Sequence, residues 1–165
     1  MRSIDLIREN LKQSEEIVLS RVEDMQKHCM ILSTPNGGCH TLWVLGHLAY
    51  IESLVINCFM LDKPNPLVDW QEIFDGSEVS TVANHFPSFE LALKECRNIR
   101  AKTILLLDSL TEEDLNKKSE NPPEGVEKLF DTYRRCFQFA ADHWYMHRGQ
   151  LADARRAAGL ERMWF

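Results

Sequence analysis

The stretch Ala140-Ala141-Asp142-His143-Trp144-Tyr145-Met146-His147-Arg148-Gly149-Gln150-Leu151 decides the fold. Its apolar positions recur every three or four residues, and the stripe extends in both directions. Val126, Leu129, Tyr133, Cys136, Phe137, Ala140, Trp144, His147, Leu151, Ala154 and Ala158 fall on one face. This spacing predicts one long helix from Val126 to Ala158, stopped by Gly159. His143 and His147 stand one turn apart on that inward face, where an imidazole is costly without a partner.

Upstream, the same period appears three more times. Ile4, Ile7, Leu11, Val18, Val22 and Met25, with Ser14 between them, predict a first helix ending near His28 to Leu32. Thr34-Pro35-Asn36-Gly37-Gly38 breaks the chain. A second helix, from His40 or Thr41 to about Leu61, is apolar round most of its circumference, as expected of an enclosed element. It carries His47 beside Gly46, where a missing Cβ allows close approach. Asp62 to Pro87 is a long irregular connection with a short helix expected around Asp69 to Phe74. A third helix begins near Ser88 and runs through Phe89, Leu93, Cys96, Ile99, Thr103, Leu106 and Leu110. Thr111-Glu112-Glu113-Asp114 reads as a cap and first turn of a short helical piece. Four long helices without an alternating strand pattern give an all-α four-helix bundle. The long connection permits the second and third helices to run parallel. The whole of 1–165 reads as one domain.

Composition narrows the function. A net charge of −6 argues against general nucleic-acid binding, which needs surplus Lys and Arg. Arg148, Arg155, Arg156 and Arg162 gather late, either complementing a helix C-terminus or attracting an anionic small molecule. The five cysteines show no CxxC, so neither a disulfide framework nor a zinc ribbon is expected. Cys58, Cys96 and Cys136 read as core residues, and Cys39 as the one least expected to be buried. No apolar run is read as reaching transmembrane length, and the N-terminus is not a signal peptide, so the expected location is cytoplasmic. Phosphate loops, GxSxG elbows and HExxH zincin signatures are absent.

Two histidines on one helix and a third from a facing helix make a workable three-nitrogen metal site with open positions, which suits catalysis. His47, His143 and His147 are the candidate ligands. Glu52 lies about 500° round its helix from His47, off the same face, and neither it nor Asp142 is assigned as a ligand. Di-iron ligation needs ExxH, and Ala140 stands three before His143. His28, His40 and His85 are expected to be solvated, although His85 reaches the site if the long connection folds over it. Arg148 is a weak candidate for orienting an anionic group, because it points about 100° away from His147. Gly149 and Gln150 are expected to support packing and the ligands.

The pieces Leu42-Trp43-Val44-Leu45-Gly46-His47-Leu48 and His143-Trp144-Tyr145-Met146-His147-Arg148-Gly149-Gln150-Leu151 resemble the DinB/YfiT-like superfamily of metalloenzymes. The family patterns W-x-L-G-H-L and H-x-x-x-H-x-G-Q-L are met closely. The resemblance implies an up-down-down-up four-helix bundle with a divalent metal on His47, His143 and His147. Zinc or nickel would be typical of the family, with iron or manganese as other choices. It also implies a small-molecule substrate and frequent homodimers, while the acidic charge and the apolar runs lead to the expectation of no nucleic-acid or membrane partner. Related members include transferases of low-molecular-weight thiols such as bacillithiol or mycothiol, isomerases and metal-dependent hydrolases. The leading expectation is transfer of such a thiol to an electrophile. The alternatives are a hydrolase, a non-catalytic metal-binding stress-response protein, and a metal-free interaction bundle. The tail Met163-Trp164-Phe165 is expected to dock on the domain or on a partner.

Overall fold

The computed structural model describes residues 2–35, 37–76, 79–161 and 163. The expected docking of Trp164 and Phe165 lies outside the described residues. The chain is mostly helical. α1 spans Ser3–Leu19, α2 Thr41–Ser53, α4 Phe89–Asp108 and α6 Tyr133–Ala157, while α3 (Gln71–Phe74) and α5 (Glu127–Phe130) are single turns.

The first helix ends earlier than its apolar period. After Leu19 the backbone bonds shorten to i→i−3, from Arg21 to Val18 and from Val22 to Leu19. Val22 and Met25 are still fully buried, so the period recorded burial rather than helix. The expected break at Thr34 to Gly38 is a two-stranded antiparallel hairpin of β1 (Leu32–Thr34) and β2 (Gly37–His40), which the sequence reading did not foresee. Gly37 and Gly38 both take positive φ, which glycine adopts without steric cost. β2 runs straight into α2, and His40 caps that helix by accepting the Trp43 N–H on Nδ1. His40 is fully buried, contrary to its expected solvation, with Nε2 3.1 Å from the Ser80 carbonyl oxygen.

α2 continues as a π-helical stretch, Leu54–Met60. The Asn57 side chain donates to the Ser53 carbonyl oxygen within this wider turn. By length and composition Thr41–Met60 is apolar enough to cross a membrane, which corrects the expectation of no such run, but most of it is buried in protein. Val68–Trp70 and α3 form the expected short helical piece in the long connection. Ser88 caps α4, and Thr111 and Asp114 bond reciprocally ahead of the turn Asp114–Asn116.

The last long helix is shorter than its stripe. Thr132 caps α6 at Tyr133, and α5 stands apart before it. Val126 and Leu129 are therefore exposed, not inward. Two apolar clusters fill the interior. One gathers Leu45, Leu48, Phe74, Cys96 and Trp144, the other Leu11, Val55, Leu107, Phe137 and Ala140. Cys39 is also buried, against expectation, and Cys58 is only half-buried. A polar node joins the four long helices. Arg100 on α4 pairs with Glu52 on α2 at 2.9 Å and donates to the carbonyl oxygens of Leu11 on α1 and Ala140 on α6.

Candidate metal centre

α2 and α6 place three imidazoles together. His47 comes from the middle of α2, and His143 and His147 from successive turns of α6. His143 is 6% exposed and His147 8%, while His47 is half-buried and forms the open side. His143 Nε2 lies 3.2 Å from His47 Nε2 and 3.1 Å from His147 Nε2. All three donors lie within 4.8 Å of one another.

The far nitrogens decide what these separations mean. His47 Nδ1 lies 2.6 Å from the Phe74 carbonyl oxygen. A carbonyl only accepts, so Nδ1 holds the proton and Nε2 keeps a bare lone pair. His147 Nδ1 lies 2.5 Å from Gln150 Oε1, with the same consequence. Even a proton on His143 Nε2 satisfies only one of its two contacts. The other sets two nitrogens about 3 Å apart with no proton between them, which is unfavourable. A cation among the three removes the conflict. Two nitrogens on one zinc-like ion, at about 2.0–2.1 Å each and a tetrahedral angle, stand about 3.3 Å apart. The residues present fit such an ion.

Burial makes the imidazoles neutral. His47 is pushed down to about 4, against the pull of the Phe74 carbonyl. His143 falls to about 2, through burial and then the neighbouring histidines. His147 is also lowered by burial, opposed by Gln150. Neutral imidazole is the ligand form, so the fold removes proton competition before any ion arrives.

Aromatic walls hold the rings. Trp43 stacks on His47 with centroids 4.3 Å apart and an interplanar angle of 14°. The Trp43 indole N–H donates to the Ile73 carbonyl oxygen at 3.2 Å. Phe139 stacks on His143 at 5.3 Å. Gly46 gives the space expected of it, but to the protein rather than to a ligand. A Cβ there would stand 2.1 Å from the Phe74 ring. The same Phe74 thus fills the notch at Gly46 with its ring and orients His47 with its carbonyl.

The other candidates fall elsewhere. His85 bonds to the Ser80 hydroxyl in an exposed turn and is not with the triad. His28 is partly exposed in the turn Gln26–His28. Gln150 supports His147 as expected. Gly149 has open space where a Cβ would be, so packing does not require it. Arg148 lines a separate cavity with Arg21, Arg155 and Arg156. Sequence reasoning missed Phe74, whose contribution is a backbone atom, and the stacking of Trp43 and Phe139. It also missed the node beneath the histidines. There the Trp144 indole N–H donates to Glu52 Oε2 at 2.7 Å, and the Arg100 guanidinium lies 4.2 Å from the Trp144 ring centroid. Burial pushes the Glu52 carboxyl up, against the opposing pull of Arg100.

A family model described as the DinB superfamily matches residues 10–151, which include all three histidines. No curated protein and no solved structure matches the chain.

Proposed function

The chain belongs to the DinB superfamily, and on that premise we propose that His47, His143 and His147 hold one divalent metal ion in a metal-dependent enzyme. The observation that carries this reading is the meeting of three Nε2 atoms, two of which belong to rings whose outer Nδ1 faces an oxygen, the Phe74 carbonyl and Gln150 Oε1. A nitrogen-only donor set suits zinc or nickel, with iron or manganese next. The long helices fit an up-down-down-up bundle. Tyr145 on α6 meets Gln13 on α1, and Arg155 meets Asp24 beyond it, as parallel helices would. Trp43 and Glu52 on α2 meet His147 and Trp144 on α6 in reverse order, as antiparallel helices would.

The reaction we propose is transfer of a low-molecular-weight thiol to an electrophilic small molecule. The ion supplies Lewis acidity, which lowers the pKa of a thiol or water beside it. The chain's own residues prepare for this. Phe74 and Gln150 aim the ligands, and Trp43 and Phe139 keep two faces apolar. The protein's cysteines do not compete as nucleophiles. Burial raises the thiols of Cys29, Cys39, Cys58, Cys96 and Cys136, so none is poised as a thiolate. The nucleophile therefore comes from outside the chain.

The test combines elemental analysis of purified protein with turnover of an electrophile, using bacillithiol-like, mycothiol-like and glutathione-like donors with and without chelator. Metal at one equivalent and chelator-sensitive thiol transfer are expected. Chelator-insensitive transfer would sink the metal mechanism, and metal without transfer by any donor would move the reading to hydrolysis or to binding alone.

A further inference from the structure

Beyond His147, α6 borders a second feature of different character. A cavity of about 400 Å³ lies along its C-terminal half and takes in Arg148, Gly149, Arg155 and Arg156, together with Arg21 from the turn after α1. None of the three histidines lines it. Four arginines thus face Asp153 and Glu161 on its walls, in a chain whose net charge is −6.

Two of the arginines have other duties. Arg155 pairs with Asp24 and Arg156 with Asp153. Both sit in the last turn of α6, where the helix carbonyls favour cations. Arg21 and Arg148 are different. Arg21 is 2% exposed and gives one N–H to the Ile17 carbonyl oxygen. Among the described residues it meets no carboxylate, which is a costly state for a buried guanidinium. Burial and the nearby cations of Arg148 and Arg155 push its pKa down. Arg148 has neither an ion pair nor a side-chain hydrogen bond among the described residues. It lies roughly two and a half turns before α6 ends, beyond the reach of the helix terminus. The position next to it is Gly149, where a Cβ would meet nothing within 4 Å.

We propose that this cavity is an anion site, separate from the histidine centre, which takes the phosphate or carboxylate group of a small molecule between Arg21 and Arg148. The free N–H groups of both guanidiniums donate to its oxygens, in a geometry that planar forks serve well. The bound anion compensates the buried charge of Arg21, and the open space at Gly149 admits the rest of the molecule.

The test is calorimetric titration of inorganic phosphate and of succinate at fixed ionic strength, with chloride as the control. It uses the full chain as wild type, Arg148→Gln, Gly149→Glu and His143→Ala. Gly149 is already helical, so Gly149→Glu fills the cavity with a carboxylate while leaving the fold intact, as circular dichroism would verify. One-to-one binding of at least one anion is expected in wild type and in His143→Ala alike. It should weaken about tenfold or more in Arg148→Gln and vanish in Gly149→Glu. The tighter of the two anions names the head group. No binding of either anion at millimolar concentration overturns the proposal, as does undiminished binding in Gly149→Glu. Loss of binding in His143→Ala also overturns it, by assigning the anion to the histidines, and leaves the metal reading intact.

Discussion

His47 and Glu52 both lie on α2, and His143 and Trp144 are adjacent on α6, yet the two nodes they build are completed differently. Around Glu52, protein groups supply both signs of charge. Arg100 meets the carboxylate, Trp144 donates to it, and carbonyls of two further helices receive the guanidinium. Only Glu52 Oε1 and Arg100 Nε lack a partner there among the described residues. Around His47 the protein brings the bare lone pairs of His47 and His147 inward and turns their N–H groups outward to Phe74 and Gln150. The comparison teaches how to read a buried polar cluster. The question is whether the donors and acceptors inside it cancel, and which sign is missing when they do not. The Glu52 node is a joint between helices, while the histidine node, the proposed receptacle, is a group of three imidazoles that could hold a metal ion.

The comparison breaks most visibly if the joint can be opened cheaply. Arg100→Met strands a buried carboxylate and should cost about 3–5 kcal/mol in chemical denaturation. Adding Glu52→Gln should return part of that loss, and an unchanged midpoint in the single variant would show that the node holds nothing. The receptacle should respond to acid instead. Folded His47 titrates at about 4 against 6.5 in the unfolded chain. Above pH 6.5 neither state takes the proton, and below it only the unfolded chain does. Metal-free protein should therefore lose stability as pH falls from 6.5 through 4, by on the order of 3 kcal/mol from this residue. The loss is read as the difference between wild type and His47→Phe, and parallel pH profiles for the two proteins would contradict it.

The third test loads the receptacle. A hundredfold excess of zinc over its Kd should stabilise wild type by about 2.7 kcal/mol and His143→Ala not at all. Equal metal content in the two proteins would remove His143 from the ligand set. The smallest effect concerns the outer partners. Gln150→Met frees His147 to turn, and metal affinity should fall about tenfold. Unchanged affinity in competition with a chromophoric chelator would show that the ring is held by packing alone.

The sequence reading reached the receptacle more readily than the joint. Two histidines one turn apart and a third on an apolar helix are visible as a pattern, because helical period alone brings them to one face. The all-α class and the places of α2, α4 and most of α6 followed from the same period. Glu52 and Arg100 were not legible together, because each is a single charge within an otherwise ordinary helix and only the packing of α2 on α4 makes them partners. Phe74 escaped because its carbonyl carries no side-chain identity. The hairpin at Leu32 to His40 is too short for alternation to show. The stop before Tyr133 was hidden because Val126 and Leu129 kept the period while lying outside the interior, and the cap at Thr132 outweighed that pattern.

The Phe74 contact also governs how the protein comes into being. His47 and Phe74 are 27 residues apart, and His47 and His143 are 96 apart. Both loops must close before the three nitrogens meet, and closing long loops is the slow, entropically opposed part of acquiring a fold. Local helices in a nascent or refolding chain hold at most the two histidines of α6. If the triad holds a metal as proposed, high affinity for it arrives late, with the docking of the long connection onto Gly46. The rate at which a refolding sample withdraws zinc from an indicator would then time that docking, and it would lag behind the appearance of helix.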